Sequence, residues 1–138
     1  MSLSSSIYIS FPGNAAEAFP YYRELFGGDL ELLTYGGADL EGLPFTPPPE
    51  AVAHAKLKAD GVVISGGDAM GRDMPPLESD VYSFLLEMDN AEEGRAFIDK
   101  VTAAGGEVAM PFEIAPWGDT YGQVVDRFGV KWAVVAPA

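Results

Sequence analysis

The 138-residue chain has no cysteine and a single histidine, His54. Missing thiols exclude disulfides, thiolate zinc sites, iron–sulfur clusters and a cysteine nucleophile. One imidazole excludes any site that draws two from the same chain, such as HExxH. Basic residues are also scarce: eight Lys and Arg stand against 21 Asp and Glu, a formal net charge of −13. A nucleic acid or an anionic membrane surface needs a basic footprint, so neither is the expected partner. The plainer reading of the acidity is that it keeps the protein soluble. No apolar run reaches the roughly 18 residues of a transmembrane helix. The N-terminal MSLSSSIYISF has neither a basic n-region nor a long apolar stretch. No signal peptide is therefore expected, and the cytoplasm is the expected compartment.

What is present is a globular composition, 48% hydrophobic and 21% charged. The length suits one domain with a real core, spanning 1–138, and is too short for two ordinary ones. Inside it lies a repeat. NAAEAFPYYRELFGG begins at Asn14 and NAEEGRAFIDKVTAAGG at Asn90. Each opens on Asn, carries Glu three residues later and closes on a Gly pair. Asn14 and Asn90 are N-cap residues, with Glu17 and Glu93 at the third helical position. Gly27 and Gly105 suit the left-handed residue that ends a helix. Ala18, Tyr22, Leu25 and Phe26 make the apolar stripe of the first helix; Phe97, Val101 and Ala104 make that of the second. Pro20 falls inside the first helix, where it should kink the helix or delay its start.

The flanks repeat as well. Alternating strands precede the helices at Ile7–Phe11 and Val81–Met88. Strands follow at Asp29–Tyr35 and Glu107–Glu113, and then a hairpin in each half. AVAHAKLKADGVVIS turns at Asp60-Gly61, and YGQVVDRFGVKWAVV turns around Arg127–Gly129. Each half reads strand–helix–strand–strand–strand, module 1 over about 7–68 and module 2 over about 81–136. In Val81–Met88, Phe84, Leu86 and Met88 share a face fit to pack under a helix, opposite Ser83, Leu85 and Glu87. Ile9 and Phe11 likewise oppose Tyr8 and Ser10, and Trp132 and Val134 oppose Ala133. Each sheet should thus have one apolar face and one mixed face open to water. GGADLEGLPFTPPPE at 36–50 is a long Gly/Pro loop, either a lid or simply a mobile connection.

Taken together and in this order, IYISFPGNAAEAFPYYRELFGG, VAHAKL and PWGDTYGQVVDRFGVKW resemble the vicinal oxygen chelate superfamily, and within it the PhnB-like subgroup. That superfamily includes glyoxalase I, extradiol dioxygenases and the fosfomycin- and bleomycin-resistance proteins. The resemblance covers nearly the whole chain. It implies an α+β fold of two tandem βαβββ modules, with curved sheets around a cavity, and a homodimer. Enzymes of the superfamily hold a divalent metal on His, Gln and Glu at up to four positions. Matched through the helix caps and hairpin glycines, those positions carry Tyr8 (or Ile7), Ser65, Ser83 and Ala133. None is a usual ligand for such an ion. The expectation is no metal and no cofactor.

Other candidates come from residue chemistry. His54, in an alternating strand, is either a hydrogen-bonded structural residue or a ligand or proton-transfer contact. Glu87 is either a base or cation contact or a solvated carboxylate near a strand end. Trp117, in the turn PWGDTYG, offers a large flat surface with one N–H donor, and Tyr121 and Tyr8 add to it. An aromatic turn covered by a dimer partner would explain Trp117 too. Trp132 and Phe128 are assigned to the core. GGDAMGRD has the GxxxxG spacing of a phosphate loop but lacks Lys-Ser/Thr and does not open a helix. No GxSxG elbow supports a serine triad.

Two functions fit. One is a metal-independent, sequestration-type protein of the bleomycin-resistance or PhnB-like kind. Its homodimer would hold a small molecule, aromatic or cationic, against Tyr8, Ser10, His54, Ser65, Ser83, Glu87, Trp117 and Tyr121. The other is an enzyme of lyase, isomerase or transferase type using Glu87 or His54 for proton transfer or metal binding. The fold by itself does not choose between them.

Overall fold

The computed structural model describes residues 2–36, 48–69 and 76–138. Most of the 36–50 loop, read as either a lid or a mobile connection, lies outside the described residues (37–47), as does 70–75. The chain forms two compact units, Met1–Pro75 and Pro76–Ala138. The first contains β1 (Ile7–Phe11), α1 (Ala15–Phe26), β2 (Asp29–Thr34), β3 (Val52–Lys58) and β4 (Val63–Asp68). The second contains β5 (Phe84–Glu87), α2 (Ala91–Ala103), β6 (Glu107–Ile114), β7 (Thr120–Val125) and β8 (Lys131–Ala136). Their sheets have the same plan, β1-β4-β3-β2 and β5-β8-β7-β6. In each, the first strand runs parallel to the last and the other pairs are antiparallel. The tandem βαβββ reading of an α+β chain is thus what the structure shows.

One face of each sheet is closed by its helix. On β1, Ile9 and Phe11 are buried while Tyr8 and Ser10 are exposed. Phe11, Phe19 and Tyr22 are all fully buried beneath α1. Phe19 meets the other two rings edge-on, at centroid distances of 5.6 and 6.4 Å. In the second unit Leu86, Trp132, Val134 and Val124 take the equivalent places, with Phe97, Ile98 and Val101 from α2.

Several details differ from expectation. Helix α1 runs through Pro20 without a late start. The bond that Pro20 cannot make belongs to the carbonyl of Ala16. Both residues lie on the exposed face, where water can take that carbonyl, while the aromatic face holds the helix down. The buried face of α1 includes Phe19 and Tyr21, whereas Leu25 and Phe26 are half-buried. On α2, Ala104 is exposed at the C-cap, and Gly94 and Ile98 complete the buried stripe. Strand β5 begins only at Phe84, because the N–H groups of Val81 and Tyr82 both donate to Ser79 Oγ at 3.1 Å. That turn withdraws them from the ladder and leaves both side chains exposed. Phe128 is half-buried in the β7–β8 turn, with the Arg127 guanidinium 4.5 Å from its ring centroid, and is not a core residue.

Strand β6 is an edge strand with Pro111 inside it and register shifts on both sides of Met110. Edge position and irregularity are the conditions under which a strand tolerates proline. The irregularity lets Phe112 reach two glycines. A Cβ on Gly122 would lie 2.7 Å from the Phe112 Cα and 3.0 Å from the Met110 carbonyl oxygen. A Cβ on Gly94 would meet the tip of the Phe112 ring at 2.6 Å. Backbone cannot retreat as a ring tip can. Gly122→Ala is therefore expected to destabilise by about 2 kcal/mol. Gly94→Ala, which gains up to about 1 kcal/mol of helix propensity, should stay near neutral. Urea unfolding of the two variants checks the order.

Candidate functional site

The faces not covered by helices carry the candidate residues. Because paired residues share a face, the registers define each surface. On the first sheet, Tyr8, Ser65, Lys56 and Glu31 form one row across all four strands. Beside it lie Lys58, with Asp29 and Val63 opposite, and on the other side His54 opposite Leu33. Ser10 pairs with Gly67 on the same face. Tyr8, Ser10, His54, Lys56 and Lys58 are exposed. Ser65 is buried at the floor, its Oγ 3.3 Å from Ser6 Oγ. His54 makes no hydrogen bond or ion pair with a described residue.

On the second sheet, Glu87, Val135, Tyr121 and Glu113 form a row from edge to edge. The next row is Leu85, Ala133, Gln123 and Met110. Gln123 Nε2 donates to the Tyr121 hydroxyl at 3.0 Å, which fixes the phenol. The turn between β6 and β7 is closed by Ala115 N–H to the Asp119 carbonyl at 2.7 Å and Gly118 N–H to the Ala115 carbonyl at 2.9 Å. It presents Trp117, 64% exposed, edge-on to Tyr121 with 5.8 Å between centroids. Glu87, Glu113, Leu85 and Met110 are exposed, and Tyr121 is half-buried. Ser83 lies one residue before β5 and is exposed.

The structure therefore brings Tyr8, Ser10, His54 and Ser65 onto one face, and Glu87, Trp117 and Tyr121 onto another. The sequence reading missed Lys56, Lys58, Gln123 and Glu113. The period-2 pattern of VAHAKLK held the signal for the two lysines, since it sets His54, Lys56 and Lys58 against buried Ala55 and Leu57. The signal for Glu113 was weaker, because the shifts in β6 break simple alternation.

Comparison with known proteins gives this geometry a lineage. The family model of the Glyoxalase/Bleomycin resistance protein/Dioxygenase superfamily matches residues 8–134. The chain belongs to that superfamily. It is 31% identical to Protein YjdN of Escherichia coli (strain K12), over 94% of this chain and 92% of the relative. The crystal structure of protein PA1353 from Pseudomonas aeruginosa is similar at a TM-score of 0.81 and 30% identity, covering 99% of this chain and 98% of that one. A PhnB protein from Bacillus cereus shares the fold at a TM-score of 0.70 and 22% identity, with 97% and 99% covered.

Against the superfamily's metal positions, the observed registers allow a direct test. Tyr8 and Ser65 are directly paired on one open face, and Ala133 is paired with Leu85 on the other. A phenol, hydroxyls and a methyl group are not the imidazole and carboxylate donors that a divalent ion of this superfamily requires. Among the described residues, no three of His, Asp and Glu come together as a metal group. The residues present do not fit the superfamily's metal.

Proposed function

We propose that the protein is a metal-independent small-molecule binder of the sequestration type, a cytoplasmic homodimer that holds an aromatic, cationic ligand. The observation that carries this reading is the Trp117–Tyr121 corner on the open face of the second sheet. An edge-on aromatic pair gives a preformed apolar wall. Glu113 is directly opposite Tyr121, and Glu87 lies in the same row. Ring faces and carboxylates both attract an organic cation, and the ring contribution reaches about 2 kcal/mol when desolvated. Leu85, Met110 and Val135 supply apolar area beside the corner. Sequestration needs no oriented base, and Glu87 and His54 are exposed without a hydrogen-bond partner among the described residues.

Benzyltrimethylammonium is a suitable probe, with an uncharged benzyl compound of similar size as comparison. Calorimetry on chelator-treated protein should detect the cation and bind the neutral compound more weakly. Trp117→Ala should weaken cation binding about tenfold. Because Trp132 is fully buried, quenching by added acrylamide reports on Trp117, and bound cation should protect it. Binding that appears only with added nickel, zinc or manganese would overturn the metal-independent reading. Recovery of a chemically altered ligand would overturn sequestration. Light scattering tests the homodimer.

A further inference from the structure

The open face of the first sheet has a different character. Strand β3 carries His54, Lys56 and Lys58 at alternate positions on that face. This gathers the chain's one histidine and two of its eight Lys and Arg onto one stretch of five residues. Lysine is ordinarily used on strands to blunt a sheet edge. Strand β3 is interior, between β2 and β4, so edge protection does not account for it. Lysine is also a poor strand former. Neither Lys56 nor Lys58 makes an ion pair with a described residue, whereas Lys131 on the second sheet is engaged with Asp80 at 3.1 Å.

We propose that this face is an oxyanion-recognition site, in which Lys56, flanked by His54 and Lys58, supplies charge, and the Tyr8 and Ser65 hydroxyls supply directional hydrogen bonds to a small carboxylate- or phosphate-type group. The row Tyr8–Ser65–Lys56 sets a phenol, a hydroxyl and an ammonium on three adjacent strands, about 4.8 Å apart from strand to strand. Lysine serves an oxyanion as a point charge, and the hydroxyls fix its orientation. Two carboxylates oppose it from the edge strand: Glu31 faces Lys56 and Asp29 faces Lys58. Exposed pairs of that kind are worth about 0–1 kcal/mol, so they compete weakly with a ligand that also receives the hydroxyl bonds. In a chain of net charge −13, long-range attraction cannot recruit an anion. Local groups must do it, and this face has them.

The site uses no residue of the aromatic corner, and the two readings take probes of opposite charge. Inorganic phosphate and benzoate are titrated separately into the full chain at constant ionic strength, with chloride as replacement, while backbone amide NMR shifts are followed. Saturable shifts are expected on β1, β3 and β4 around Tyr8, Lys56 and Ser65 with at least one probe. The probe that saturates identifies the group. Lys56→Gln should weaken binding about tenfold. Glu31→Gln, which removes a competitor and a repulsive charge, should tighten it severalfold; a merely structural ion pair would not give that sign. The proposal is overturned if neither probe gives saturable shifts on this face, if chloride gives the same shifts, or if Lys56→Gln binds as the parent does.

Discussion

Replacing Asp126 by alanine is expected to lower the unfolding free energy by about 4 kcal/mol, a large share of what a small protein has. The side chain is 3% exposed and joins three donors. Its Oδ1 accepts from Phe128 N–H at 2.9 Å and Val130 N–H at 3.1 Å. Its Oδ2 accepts from Trp132 Nε1 at 2.9 Å. The first two close the turn that Gly129 makes possible with a φ of +97°, and the third ties the turn to the largest core side chain. Alanine leaves these donors without an acceptor, and each buried orphan costs about 1–3 kcal/mol. Asp126→Asn separates the contributions. It keeps an oxygen for the turn and sets an amide N–H against the indole N–H, for an expected loss of about 2 kcal/mol. Adding Trp132→Phe removes the opposing donor, so the double variant should lose less than the sum of the two single variants. Urea unfolding of the four proteins supplies the cycle. A loss under about 1 kcal/mol for Asp126→Ala would mean that water replaces the carboxylate and that the turn is not closed by it.

How far the sequence revealed this molecule depends on the range of the interaction concerned. The helices, strands and hairpin glycines follow from contacts a few residues apart, and they came out in order. Trp132 belonged to the core on alternation alone. The faces of β1, β3 and β5 were also legible, because a period of two is local. The role of Asp126 was not legible, since among 21 acidic residues nothing marks one as buried. The row Tyr8–Ser65–Lys56 needs the register of three strands, two of them far apart in the chain, and no local pattern encodes it. The late start of β5 was not legible because Val81 and Tyr82 are good strand formers whose N–H groups Ser79 takes away. Trp117 was found for its chemistry, and the structure adds its partner Tyr121.

The two helix starts show the same limit, and they carry the second large effect. Asn90 adopts an extended conformation, φ −153° and ψ 166°, and its Oδ1 accepts from Glu93 N–H at 2.9 Å. Asn14 has the same spacing to Glu17 but a different backbone, φ −117° and ψ 23°, and its side chain makes no cap bond. The α1 terminus is instead served by Asp68 from the end of β4. Asp68 Oδ1 accepts from Ala15 N–H and Oδ2 from Val52 N–H, both at 2.8 Å. One carboxylate, 8% exposed, thus joins the ends of β4, α1 and β3. Its charge also complements the positive end of the helix dipole. Asp68→Ala is expected to destabilise by about 3 kcal/mol, from two orphaned buried N–H groups and the lost charge. Asp68→Asn, which retains one acceptor, should lose about half of that. Asn90→Ala should lose about 1 kcal/mol, as for an ordinary cap. Asn14→Ala should lose less than Asn90→Ala, because the Asn14 Oδ1 is buried without a partner. Urea melts of the four variants give the ranking. If Asn14→Ala proved as damaging as Asp68→Ala, the cap of α1 would be local after all, and the hydrogen bonds drawn from Asp68 would not be what holds the helix to the sheet.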